Sequence, residues 1–185
     1  IMKKIYKIIV LAILSSGIFT VNLPAFAKDY QLDIKGQHAS INFKIQHLGF
    51  SWIVGRFDTF DGKFSYDSKK PNDAKISVTI DTRSINSNHA LRDKHIRDVD
   101  LLNAKENPKA QFVSTSYNEN ADGSGTLKGN FTLNGITKPM VITTKKIGEG
   151  KDPWGGYRAG FEGKTSFKLA DFDILKDLGP SAKEV

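Results

Sequence analysis

The sequence predicts an all-β chain, an antiparallel sheet closed into a small barrel with one short helix inserted. Three observations carry this reading. Apolar and polar residues alternate with period two through most of residues 41–169, glycine-containing turn dipeptides separate the alternating runs, and only one segment has the residues and the cap of a helix. A long antiparallel sheet hides its edges by closing on itself, and about eight strands enclose an interior wide enough for one slender ligand.

The first 27 residues stand outside this pattern. Lys3, Lys4 and Lys7 precede an unbroken apolar run from Ile8 to Leu14, and Ala25-Phe26-Ala27 forms a small-x-small cleavage site. The run is short for a spanning helix and is interrupted by Ser15, Ser16 and Gly17. Residues 1–27 therefore read as a signal peptide cleaved near Ala27, leaving residues 28–185 as a single exported domain, periplasmic or, alternatively, secreted. The chain has no cysteine, so no disulfide supports the core and no lipid anchor attaches through a thioether. Without the leader's three lysines, 24 basic residues face 20 acidic ones, a net charge of +4. The lysines are scattered, which argues against nucleic acid as a partner and leaves room for transient contact with a membrane surface.

In chain order, Ile41, Phe43 and Ile45 alternate with Asn42, Lys44 and Gln46. Between His47 and Gly62, Trp52, Val54 and Phe57 suit strands, Gly49 and Gly55 suit kinks, and Asp61-Gly62 suits a tight turn. Pro71, Asn72 and Asp73 break the chain before the strand carrying Ile76, Val78 and Ile80. A helix follows over Ala90 to Arg97, capped by Asn86 or Ser87, with Leu91, His95 and Val99 on one face. Asp122-Gly123 marks a further turn. Leu127, Gly129, Phe131 and Leu133 form the inner face of the next strand, and Asn134-Gly135 is the strongest hairpin signal in the chain. Phe161, Gly163, Thr165, Phe167 and Leu169 repeat the alternation. Gly129 and Gly163 on inward faces either leave axial space or mark bulges.

Several stretches, taken together, resemble one family. They are Tyr30-x-x-Asp33, His38-Ala-Ser40, His47-x-Gly49-x-Ser51, Gly55-x-Phe57, Phe60-x-Gly62 and Arg92-Asp93-x-His95. Pro108-x-x-x-Phe112, Gly129-x-Phe131-Thr132-Leu133, Gly135-x-Thr137-x-Pro139, Asp152-Pro153-x-Gly155 and Arg158-x-Gly160-Phe161 complete the set in order. No single piece is specific; their joint occurrence resembles the YceI-like family of polyisoprenoid-binding proteins. That resemblance implies an elongated, lipocalin-like barrel around a long apolar ligand, exported, with no established catalysis. It also implies one more strand after Val185, so that residues 28–185 are expected to lack a C-terminal strand. The ligand so implied is a polyisoprenoid, a quinone-like molecule or a fatty amphiphile, with no cofactor; an oligomeric state does not follow. Burying each CH₂ of such a tail is worth about 0.8 kcal/mol, so a few isoprene units gross on the order of 10 kcal/mol before ordering costs.

The inward residues Phe43, Ile45, Phe112, Gly129, Phe131, Phe161, Gly163 and Phe167 are core, ligand wall or both. His47, Arg92, Asp93, His95 and Arg158 are candidates for the mouth of the barrel. Arg92 and His95 share a helix face, and Arg suits a pyrophosphate, although Arg92 and Asp93 equally suit ion pairs tying the helix to the barrel. His47 either makes a structural hydrogen bond or meets a head group. His95, Asp98 and Asp100 fit no zinc spacing, and no metal is expected. Trp52 and Trp154, beside glycine turns, suit a rim. The alternative function is a lipid-modifying enzyme, such as a hydrolase, or an envelope stress protein acting at Arg92–His95. The sequence holds no nucleophile elbow, no cysteine nucleophile and no phosphate loop to support it.

Overall fold

Asn134 and Gly135 both take positive φ, 50° and 75°, and their type I′ turn joins the two longest-paired strands of the molecule. The computed structural model describes residues 27–179 and 182–185, so the leader read at residues 1–27 lies, but for Ala27, outside the described residues. Among these, ten strands run in chain order: β1 (Lys28–Gln31), β2 (Ile41–His47), β3 (Ser51–Phe57), β4 (Phe60–Tyr66), β5 (Lys75–Asp81), β6 (Ile85–Asn86), β7 (Lys109–Glu119), β8 (Ser124–Leu133), β9 (Ile136–Lys151) and β10 (Tyr157–Lys164). The helix α1 spans Ala90–Arg97, as the sequence predicts.

Seven strands form a nearly closed antiparallel barrel in the order β1-β4-β5-β7-β8-β9-β10. The backbone ladder ends at β1 on one side and β10 on the other, and side chains join the two. Arg158 of β10 pairs with Asp33, which follows β1, and Lys28 Nζ lies 3.4 Å over the Tyr157 ring. Inside, Phe161 of β10 meets Phe64 and Tyr66 of β4 edge-on, at 5.9 and 5.0 Å between ring centres.

The strands β2 and β3 carry the same alternation as the barrel strands but pair with β6 in a separate three-stranded sheet. Its inner face lays Ile41, Phe43 and Phe57 on the core. Phe43 stands opposite Gly55, where an added Cβ would come within 2.6 Å of the Phe43 ring, so the glycine is there to seat an aromatic. At the other end of the core, Phe131, Phe167 and Phe172 pack in a triangle with centres 5.2–5.7 Å apart.

Four details differ from the sequence reading. Asp61-Gly62 lies inside β4; the chain turns at Asp58 and Thr59 instead, where Arg56 and Asn86 both bond the Asp58 carboxylate at 2.6 and 2.9 Å. The helix cap is His89, whose Nδ1 accepts from the Arg92 N–H, because Ser87 is occupied elsewhere. Leu91 and Val99 face solvent, and Asp93 and Ile96 form the packed face. The strand carrying Phe161 ends at Lys164, after which Phe167 folds back to the core as a single helical turn begins at Leu169.

Gly129 opens no axial space. It faces a bulge between Ser114 and Ser116 of β7, and a Cβ there would fall 2.7 Å from Phe112 Cε2 and 2.5 Å from the Val113 carbonyl. The backbone oxygen cannot yield cheaply. Gly129→Ala should therefore destabilise the fold by about 1–3 kcal/mol through overpacking, read as a lower urea midpoint with an unchanged slope.

Candidate functional site

The barrel wall turns one face inward on every strand, and that face changes character along its length. On β8 the inward residues Leu127, Phe131 and Leu133 are buried, as are Phe112 and Ala110 on β7 and Met140 on β9. Phe64 on β4, Ile76 and Val78 on β5, Ile142 on β9 and Phe161 on β10 pack against this core yet remain only half-buried. They therefore keep apolar surface within reach of other atoms along the interior.

Further along the same inward registers, polar groups replace apolar ones. Tyr66 ends the inward row of β4, Tyr117 and Glu119 end that of β7, and Thr144 and Lys146 follow Met140 and Ile142 on β9. The Tyr66 and Tyr117 hydroxyls both donate to the Glu119 carboxylate, each at 2.9 Å. The Thr144 hydroxyl lies 3.4 Å from that of Tyr117. Lys146 Nζ sits 3.2 Å from Glu149 and 4.9 Å from the centre of the Tyr66 ring. One end of the interior thus carries a connected polar cluster from three strands.

Burial sets the protonation of this cluster. Desolvation pushes the Tyr117 phenol up to about 12, with a smaller rise from the Glu119 carboxylate it bonds. Tyr66 is raised for the same reasons, burial first. Burial pulls Lys146 down, but its contacts with Tyr66 and Glu149 outweigh that and hold the ammonium above its ordinary value. Burial likewise raises Glu149, and hydrogen bonds from Ser68 and Lys146 more than reverse it. At neutral pH the cluster holds neutral phenols, one ammonium and the Glu149 carboxylate, with the Glu119 side chain accepting from both tyrosines.

The sequence-predicted residues fall in three places. Phe112, Gly129, Phe131, Phe161 and Phe167 belong to the core or the inner wall, whereas Gly163 is exposed with Ile142 beside it, and Phe43 and Ile45 lie half-buried on the separate sheet. Arg92 and Asp93 are taken up by Ser87. Asp93 accepts from the Ser87 N–H and hydroxyl at 2.8 and 2.5 Å, while Arg92 Nε donates to the same hydroxyl at 2.7 Å and a second guanidinium nitrogen to the Ser87 carbonyl at 2.5 Å. His47 and His95 are exposed, and Arg158 sits in the barrel seam between Asp33 and Asp152. A cleft of about 510 Å³, bounded by Asp58, Arg83, Asn86, His89 and Asp93, and another of about 230 Å³ near Pro139, Phe167 and Phe172 share no residue with the polar cluster. No group of three His, Asp or Glu side chains among the described residues is arranged to hold a metal, and no described helix is long and apolar enough to cross a membrane.

Fold and site define a class: a nearly closed antiparallel barrel with an apolar inner wall and a polar end. Family comparison gives that class a name, since residues 30–185 match the YceI-like domain, and the chain belongs to the YceI-like family. It is 55% identical over 175 residues to a UPF0312 protein of Ectopseudomonas mendocina, covering 95% of this chain and 92% of the relative. A UPF0312 protein of Pseudomonas aeruginosa is also 55% identical, over 93% of this chain and 89% of its own. Among solved structures, the Campylobacter jejuni YCEI protein superposes with a TM-score of 0.63 at 30% identity, covering 79% of this chain and 84% of its own. Burkholderia cenocepacia BcnA, at 19% identity, shares the fold with a TM-score of 0.69 over 78% of this chain and 85% of its own.

Two outcomes are expected from this geometry. Arg92→Ala should cost about 1–3 kcal/mol by leaving the Ser87 hydroxyl and carbonyl without their guanidinium donor, read in a thermal melt, while the folded variant keeps its ligand affinity. The raised Tyr117 phenol stabilises the fold fully below the ordinary tyrosine value of 10.0, and that contribution is lost as pH rises through about 12. Alkaline melting curves should show this loss for the wild type and a smaller one for Tyr117→Phe.

Proposed function

We propose that this protein is an exported, periplasmic lipid-binding protein that sequesters or carries a long-chain polyisoprenoid or similar amphiphile inside its barrel. The observation that supports it best is the inner wall itself, where half-buried Phe64, Ile76, Val78, Ile142 and Phe161 lead toward the Tyr66–Tyr117–Glu119–Lys146 cluster. An apolar tail fits the first zone and a small polar head fits the second. Binding of this kind needs neither a cofactor nor a bond-making residue, and the protein acts as a binder rather than an enzyme.

The cluster also constrains the head. Lys146, the one ammonium of the cluster, is already paired with Glu149, so a pyrophosphate would find no unpaired cation of the cluster to meet it in a poorly solvated place. A hydroxyl, quinone or amide can share hydrogen bonds with the tyrosines and Lys146 without that penalty. Arg92, whose guanidinium suits phosphate, is held by Ser87 on another part of the molecule.

Mass spectrometry of an organic extract from purified protein should reveal a long apolar molecule. In titrations with prenyl alcohols, each isoprene unit removed should weaken binding roughly tenfold, at about 0.3 kcal/mol per buried carbon, until the tail no longer fills the interior. Val78→Phe, which narrows the apolar zone at a half-buried position, should abolish the preference for long tails. A prenyl diphosphate should bind more weakly than the alcohol of equal length. An empty extract together with no binding of any prenyl or acyl chain would refute this reading.

A further inference from the structure

The β2–β3 hairpin carries large apolar residues on its outer side as well as on its inner one. Its inner face, with Ile41, Phe43 and Phe57, already packs on the core, so burial of that face explains none of the apolar residues that point away from it. On the outer side and at the tip, Leu48 is 49% exposed, Phe50 91%, Trp52 56% and Val54 62%. The turn is tight, with Leu48 at φ 52°, Gly49 at φ 79° and the Phe50 N–H bonded to the His47 carbonyl at 3.0 Å, and it holds Phe50 clear of the body while Leu48 lies half-exposed beside Gly179. Four large apolar side chains within seven residues of one hairpin form an apolar prominence.

Charge narrows what covers it. No acidic residue occurs between Ile34 and Phe57, a stretch that carries Lys35, Lys44 and Arg56. Arg56 is paired with Asp58 at the far end of the hairpin, whereas Lys44 Nζ lies 4.6 Å from the centre of the Trp52 ring. An apolar tip, then a tryptophan capped by an ammonium, is the order of groups met on passing from acyl chains to anionic head groups. We propose that the β2–β3 hairpin is a membrane-docking wedge that inserts Leu48 and Phe50 into a bilayer with anionic lipid, with Trp52 and Lys44 at the head-group level. This goes beyond the binding of a ligand in the barrel and does not depend on it.

Co-sedimentation with vesicles of phosphatidylcholine containing phosphatidylglycerol tests it, using purified protein and no prenyl lipid. The wild type should bind these vesicles, bind pure phosphatidylcholine vesicles less, and release from the anionic ones as salt rises. Leu48→Ser with Phe50→Ser should reduce binding at least roughly tenfold, and Phe50→Ser alone, at a side chain 91% exposed, should weaken it with an unchanged melting temperature. Val113→Ser, at an exposed apolar position on β7, should change nothing. In a Trp154→Phe background, the fluorescence of Trp52 should shift to the blue on adding anionic vesicles. Equal binding by the wild type and the double variant would overturn the proposal. So would a wild type that ignores vesicles but dimerises in solution through Phe50, which would assign the tip to a second copy of the chain. A protein that binds vesicles through the tip but extracts empty and binds no prenyl or acyl chain would keep this proposal and sink the carrier reading.

Discussion

A sheet of seven strands has two edges, and in this barrel they are brought together by side chains rather than by a backbone ladder. Arg158 is the pivot. It bonds Asp33 beyond β1 and, at 2.8 Å, Asp152 in the turn before its own strand, while Asp152 also accepts the backbone N–H of Trp154 and Gly156. Asp33 in turn is gripped by His38 and Gly36, and these hydrogen bonds, His38 first and then Arg158, hold its carboxyl well below the usual range. Exposed ion pairs contribute little individually. Here the guanidinium fixes where two loops meet, and the aromatic contacts behind it, from Phe161 to Phe64 and Tyr66, supply the apolar burial that keeps the edges together.

That closure decides what the interior can be. With β10 held against β1 and β4, the inward rows of β4, β7 and β9 face one another, and the residues ending those rows become neighbours although they are far apart in sequence. Tyr66 and Glu119 lie 53 positions apart and share a hydrogen bond. Each polar group in this cluster has a partner, which makes its burial tolerable and its geometry specific. The same fold consigns Arg92 and Asp93 to holding α1 beside β6.

Much of this was legible in the chain. The Asn134-Gly135 turn and the inward row from Leu127 to Leu133 follow from turn chemistry and periodicity, and the bounds of α1 from its run of helix-forming residues, because those signals are local. The division of strands between two sheets was not, since Ile41, Phe43 and Ile45 alternate just as a barrel strand does and only tertiary pairing sends them to β6. Asp61-Gly62 looked like a turn because an Asp-Gly pair is usually one, whereas Gly62 lies where a Cβ would come within 2.8 Å of the Ser77 carbonyl on the next strand. The polar cluster is hard to read from the chain because its members come from three strands far apart in sequence and match no motif. The signal was present in β9, where Thr144 and Lys146 continue the inward register of Met140 and Ile142, and in β7, where Tyr117 and Glu119 do the same beyond the bulge.

The seam has a consequence for the order in which the molecule forms. Strands β7 to β10 follow one another as local hairpins, and such contacts close short loops at small entropic cost. Asp33 and Arg158 are 125 residues apart, and their meeting requires β10, the last of the described strands, to be in place. A chain emerging from its N-terminus presents β1 first and must leave that edge unsatisfied until the end, with no disulfide to hold it meanwhile. The Asp33–Arg158 pair therefore cannot form before the C-terminal third of the chain is present, and until then the outer edge of β1 has no side-chain partner across this seam.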